Sequence, residues 1–125
     1  MTKALFMQQN LRPGEVYAGL ILGKNDEPDY HLFLLADTPS DKLNWGDAKK
    51  WAESVNGELP TRREQSLLFA NCKEQFEAAW YWSCEQYAAY PDYAWMQTFG
   101  NGYQNYDHKS GSYRARAVRR LLLIE

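Results

Sequence analysis

The chain has 125 residues, 45% of them hydrophobic, with 14 Lys and Arg against 16 Asp and Glu. That length suits one domain that can bury its own core, and the composition is too apolar for a disordered segment. A net charge of −2 argues against a protein whose main task is gripping phosphate backbones, so nucleic acid is not an expected partner.

Residues 1–13 read as an N-terminal arm closed by the turn pair Pro13-Gly14. Residues 16–22 and 30–36 are short apolar runs flanking Gly23-Lys24-Asn25-Asp26-Glu27-Pro28-Asp29, a dense turn signal. They predict two strands joined as a hairpin. A loop over 37–44 follows. Asn44 is the expected cap of a helix over 45–55, where Trp45, Ala48, Trp51, Ala52 and Val55 recur at helical spacing. Asn56-Gly57 ends it. Thr61-Arg62-Arg63-Glu64 has the form of a capping box. It opens a second helix over 62–71, expected to bury Leu67, Leu68 and Ala70. From Trp80 the texture changes, with eleven aromatics by Tyr113 and few aliphatics. Residues 80–83, 93–99 and 113–124 read as strands, with Gly100-Asn101-Gly102 as a tight turn. The outline is a single α+β domain over residues 1–125.

Four pieces stand in order: Asn44-Trp45-Gly46-Asp47-Ala48; Gly57-Glu58-Leu59-Pro60-Thr61-Arg62-Arg63-Glu64; Tyr81-Trp82-Ser83; and Tyr93-Ala94-Trp95 running on to Arg114-Ala115-Arg116-Ala117-Val118-Arg119. Over roughly residues 44–120 this set resembles the Lcl C-terminal domain family, also called DUF1566, common in bacteria, phages and prophages. The resemblance implies a C-type-lectin-like fold related to formylglycine-generating enzymes. In that fold two helices pack beside a twisted antiparallel sheet, and long C-terminal loops present the ligand contacts.

Ten of the fourteen residues from 100 to 113 are Gly, Asn, Tyr or Ser. This is the composition of antibody binding loops, where Tyr supplies contact area at low entropy cost and Asn and Ser supply adaptable hydrogen bonds. Tyr103, Tyr106, Asp107 and His108 are the first candidates for ligand contacts, with Asn101 and Asn105 beside them. The preceding loop over 85–93 adds Tyr87 and Tyr90, with Tyr93 at its end, and the two loops are expected to share one surface. The bland alternative is a polar hairpin with a solvated loop. A sharper one is a variable protein of a diversity-generating retroelement, whose products carry such residues at ligand-facing positions; Ser110 and Ser112 extend that pattern.

Other candidates are weaker. The five Trp could stack sugars, but large rings with one N–H more often serve as core and corner residues. Arg114, Arg116, Arg119 and Arg120 could hold anions, though such Arg usually pair with acids at the rim of a core. Glu27-Pro28-Asp29 lies far upstream of the place a calcium-binding lectin motif would occupy, and Tyr90-Pro91-Asp92 lacks an acidic or amide residue before Pro, so no metal or cofactor is expected. Cys72 and Cys84 do not match the reactive pair of a formylglycine-generating oxidase and read as free thiols. His31 reads as structural. No apolar stretch nears the ~18 residues of a membrane span, and Gln8, Gln9 and Asn10 interrupt the first apolar run before it can serve as a secretion signal.

The expectation is a non-enzymatic binding module of phage or prophage type, cytoplasmic on synthesis, with a place in the virion as one variant. Its partner is a host or phage protein or a cell-surface glycan. The alternative is a small cytoplasmic phage factor that binds a host defence protein.

Overall fold

The computed structural model describes residues 2–123. The N-terminal segment is more ordered than an arm. Helix α1 spans Lys3–Asn10, and the Thr2 hydroxyl caps it by accepting the Leu5 N–H at 3.1 Å. No residue of α1 is buried. Phe6 nonetheless lies against His31, Tyr17 and Phe33, at ring-centroid distances of 4.3, 5.4 and 6.2 Å. His31 is structural as expected: its Nδ1 shares a 2.8 Å hydrogen bond with the Tyr17 hydroxyl.

Strands β1 (Val16–Ile21) and β2 (Tyr30–Leu34) form the expected antiparallel hairpin, with Val16 opposite Leu34 and Ile21 opposite Tyr30. Asp29 closes its turn by accepting the Gly23 N–H, which is the work done by the Glu27-Pro28-Asp29 triplet. Helix α2 spans Trp45–Ser54 and is capped by Asn44, whose side chain accepts the Asp47 N–H. The left-handed Asn56, with φ of 62°, stops the helix. Helix α3 spans Arg62–Cys72 and has the complete capping box. It buries Glu64, Gln65, Leu68 and Cys72, a stripe at helical spacing, whereas Ala70 points outward and Leu67 is half-buried. The expected burial of Ala70 is therefore corrected: two positions past Leu68 lies the opposite side of a helix.

The expected single sheet is two three-stranded antiparallel sheets. The last strand, β6 (Val118–Leu122), pairs with β2, so the first sheet runs β1-β2-β6. The strand anticipated from residue 113 begins only at Val118; Tyr113 and Arg114 make isolated bridges to Leu43 and Tyr81, and Ile124 lies outside the described residues. The second sheet runs β3 (Trp80–Gln86), β4 (Tyr93–Thr98), β5 (Gln104–His108). Strand β5 overturns the reading of residues 100–113 as a long loop. The Gly100-Asn101-Gly102 turn, with Gly102 at φ 83°, returns the chain alongside β4, and its side chains are polar because β5 is an edge strand with no buried residue.

Helix α3 packs against β1, β3 and β4 and ties the two sheets together. One core cluster includes Leu32, Leu34, Leu68, Cys72, Phe99 and Val118. The other centres on Trp82 with Ala48, Ala52, Leu59, Met96 and Ala117. The indole N–H of fully buried Trp82 donates to the Leu43 carbonyl at 2.8 Å, and that of Trp45 to the Ser83 carbonyl at 2.8 Å. Trp51 and Trp80 pack at the margin of this cluster. The C-terminal Arg pairing holds for two residues. Arg119 meets Glu15 at 2.8 Å, and Arg120 meets Glu64 at 2.6 Å. Among the described residues no helix is long and apolar enough to cross a membrane.

Candidate binding face on the second sheet

Side chains alternate between the two faces of a strand, and this alternation sorts the candidate residues. Tyr93 sits opposite His108, Trp95 opposite Tyr106, and Gln97 opposite Gln104. The side chains of these pairs share one face of the sheet. Tyr87 joins them from the end of β3: its ring stacks on Tyr106 at 4.0 Å with the planes 9° apart. Trp95 meets both Tyr87 and Tyr106 edge to face, each at 5.4 Å. Tyr90 leans against Tyr87 and Tyr93 at 5.8 and 5.7 Å and is 58% exposed. The hydroxyl of Tyr93 shares a 2.8 Å hydrogen bond with Nε2 of His108.

The loop carrying Tyr90 is folded back, with Tyr87 N–H donating to the Tyr93 carbonyl and Tyr93 N–H to the Tyr90 carbonyl. At the other end of the face, the Arg62 guanidinium lies 3.5 Å from the Trp95 ring centroid, a favourable cation–π placement. Its Nε–H donates to Gln104 at 2.9 Å. The Gln104 amide in turn donates to Gln97 and to the Arg62 carbonyl, and Gln97 donates to the Gln65 carbonyl inside α3. This amide chain, buried at its Gln97–Gln65 end, fixes Arg62 and the sheet face relative to α3. Beside it opens a cleft of about 790 Å³ whose walls include Arg62, Arg63, Glu85 and Gln104.

The expectation of one surface from both loops is corrected. Tyr87, Tyr90, Tyr106 and His108 come together. Asn101, Tyr103, Asn105 and Asp107 do not join them. Tyr103 meets Trp80 edge-on at 6.3 Å, on the side of the sheet that packs over Trp82. Asp107 accepts the Tyr113 hydroxyl and the His108 N–H. The Tyr113 hydrogen bond holds the Asp107 carboxyl below the usual aspartate range, and the same bond pushes the Tyr113 phenol up to about 12. Asn101 accepts the Tyr103 N–H within the turn after β4, and Asn105, inside β5, accepts the N–H of the next residue, Tyr106. Tyr93, expected with Tyr87 and Tyr90, joins the face; sequence reasoning missed Trp95 and Arg62 as members of it. The signal for Trp95 was the two-residue period of Tyr93-Ala94-Trp95. Arg62 carried none, because its partner is 33 residues away in the chain.

The cysteines sit apart. Cys72 is fully buried in the first core cluster, and half-buried Cys84 packs against the second. Burial pushes both thiols up to about 11, which keeps them protonated and poorly nucleophilic near neutrality. Thiol-reagent titration at pH 8 is expected to find both slow in the native chain and both fast in denaturant. Rapid native reaction of either would contradict this placement. Among the described residues no group of three or more His, Cys, Asp or Glu side chains converges as metal ligands would.

Two three-stranded antiparallel sheets, joined by α3 and carrying an aromatic face on the second, define an α+β domain. The Lcl C-terminal domain family model matches residues 19–119, and the chain belongs to that family. No curated protein matches it.

Proposed function

We propose that this domain is a non-catalytic binding module whose contact surface is the face formed by Tyr87, Tyr90, Tyr93, Trp95, Tyr106 and His108. The observation that carries this reading is the mutual packing of those rings on strands and on a folded-back loop. Rings already held in place lose little entropy when a partner arrives. The same packing favours a protein over a glycan. Sugar stacking needs an open ring face, and Tyr87, Tyr106 and Trp95 each already have one face covered, by the other Tyr ring or by Arg62. What the face offers outward is Tyr edges, hydroxyls and the exposed Tyr90, which suit a polar and aromatic protein interface.

We infer further that the fold is of the C-type-lectin-like kind. The packing of α3 on both sheets, and of α2 beside β3, supports that reading. The family's frequent occurrence in phages and prophages makes a host protein the partner class to test first.

The test is a paired pull-down from host cytoplasmic and envelope fractions. One bait is the wild type, one carries Tyr90→Ala with His108→Ala, and one carries Tyr103→Ala on the opposite side of the sheet. All three sites are exposed, so the baits should fold. A partner held by the wild type and the Tyr103 variant is expected to be lost from the double variant, with affinity lower by roughly 30-fold or more for a Tyr anchor. Equal retention by all three baits, or loss from the Tyr103 variant alone, would reject this face. A glycan retained in place of a protein would reject the partner class.

A further inference from the structure

A second cavity, of about 700 Å³, lies away from the aromatic face, between the loop after β2 and the 3-10 turn Lys73–Gln75 that follows α3. Arg116 forms part of its wall and is 7% exposed. Two half-buried Arg nearby in sequence each receive a carboxylate, Glu15 for Arg119 and Glu64 for Arg120. Arg116 has none among the described residues. Its two terminal nitrogens donate to the carbonyls of Gln75 at 2.5 Å and Leu35 at 2.9 Å. Its Nε–H is buried with no acceptor. A buried charge without a counter-charge is costly, and so is a buried donor without an acceptor. Burial accordingly lowers the pKa of this guanidinium.

The rest of the wall has both signs. Arg114 and Lys42 add positive charge, and Asp41, Glu74 and Glu77 add negative charge. Arg114 is exposed, and its guanidinium makes no hydrogen bond or ion pair within the described residues. A phosphate entering here would meet three carboxylates. A ligand with one carboxylate and one ammonium on a short frame meets a partner at each end. Its carboxylate can take the planar fork of the uncommitted Arg114 guanidinium, with the unsatisfied Nε–H of Arg116 as a further donor, and its ammonium can face the acids. The Tyr81 hydroxyl, which accepts the Glu77 N–H at 2.9 Å, keeps its own proton for a ligand oxygen. The Phe76 ring supplies an apolar wall.

We propose that this cavity is a binding site for a zwitterionic ligand of the amino-acid class, a free amino acid or a short peptide, with Arg114 and Arg116 receiving its carboxylate. The site is independent of the aromatic face. Arg116 also braces the cavity through its two carbonyl bonds, so its own truncation would confuse binding with folding; Arg114 is the cleaner probe.

The test is a ¹⁵N NMR titration of the full chain, following backbone amides and the arginine Nε–H signals. The probes are L-alanine, L-alanyl-L-alanine, the same dipeptide with an amidated C-terminus, and inorganic phosphate. The expected result is a saturable shift of the Arg116 Nε–H, and of amides in 38–42 and 74–77, with at least one zwitterion. The amidated dipeptide should leave them in place, and Arg114→Ala should weaken binding about tenfold or more, the scale of a charged hydrogen bond. Arg116→Lys should keep the charge yet weaken binding too, since a lysine has no donor at the Nε position. Four outcomes would overturn the proposal: no saturable shift with either zwitterion, an equal response to the amide, tighter binding of phosphate, or an unchanged affinity in Arg114→Ala. If L-alanine alone binds, the ligand is a free amino acid; if the dipeptide binds more tightly, it is a peptide end.

Discussion

Replacing Arg120 with Met is expected to lower the unfolding free energy by about 3–5 kcal/mol, the usual cost of leaving one member of a buried ion pair behind. Arg120 stands on β6 and reaches across to α3. Its Nε and one terminal nitrogen donate to the two oxygens of Glu64 at 2.6 and 2.8 Å. Glu64 has no exposed side-chain surface. It also accepts the Tyr30 hydroxyl from β2 at 2.6 Å and the Thr61 N–H of its own capping box at 2.8 Å. One carboxylate thus joins the first sheet to α3. Without Arg120, the buried charge keeps only two neutral donors. The further contact of Arg120 with Glu58, whose side chain is 70% exposed, adds little.

The pH dependence follows from the same group. Burial alone would raise the Glu64 pKa, but the hydrogen bonds from Arg120, Tyr30 and Thr61 bring it below the ordinary glutamate value of 4.5. A carboxyl whose folded pKa is depressed adds stability that is present above its unfolded pKa and lost as pH falls through the folded one. Urea unfolding at pH 7 and at pH 3 should therefore show a large gap between wild type and Arg120→Met at neutrality and a smaller one in acid. The double variant Glu64→Leu with Arg120→Met should recover part of the loss, because an apolar pair has no charge left to desolvate. A loss under 1 kcal/mol at pH 7 would show that the pair does not hold the first sheet to α3.

Trp82→Ala is expected to cost a similar amount, about 3–5 kcal/mol for a buried aromatic, against a total of roughly 5–15 kcal/mol for a domain. The ring is wholly buried between the second sheet and α2. Its removal leaves a cavity, strips the Leu43 carbonyl of its indole donor, and removes the edge-to-face contact with Tyr113 at 5.1 Å. Tyr113 bonds Asp107, the neighbour of His108, so the loss should also loosen the underside of the candidate face. Thermal unfolding with near-ultraviolet circular dichroism would read both effects. Trp51→Ala, at a half-buried site on α2, should cost clearly less. Equal losses from the two variants would deny Trp82 its place at the centre of the core.

Local signals in the sequence carried the helices and the hairpin. Asn44, Asn56 and the Thr61–Glu64 box act within one turn of chain, so their meaning does not depend on distant residues. The alternating Tyr93-Ala94-Trp95 likewise marks a strand wherever it packs. Strand β5 was hidden because polar residues on an edge strand have no hydrophobic period to read; its pairing with β4 shows only once the turn at residues 100–102 has closed. The candidate face was half legible for the same reason. Composition showed that Tyr, Asn, Asp and His gather after Trp80. Composition does not show that odd and even positions of β5 part company, sending Tyr106 and His108 to one side and Asn105 and Asp107 to the other.

The sequence by itself determined the family, the α+β class, and the helix ends, because each is written in short-range chemistry. The tertiary structure alone decided which Arg receives a carboxylate, which Tyr rings meet, and where the cavities open. Those depend on contacts between residues as far apart as Glu15 and Arg119, and no local pattern of side chains encodes which distant partner the fold will bring within hydrogen-bond reach.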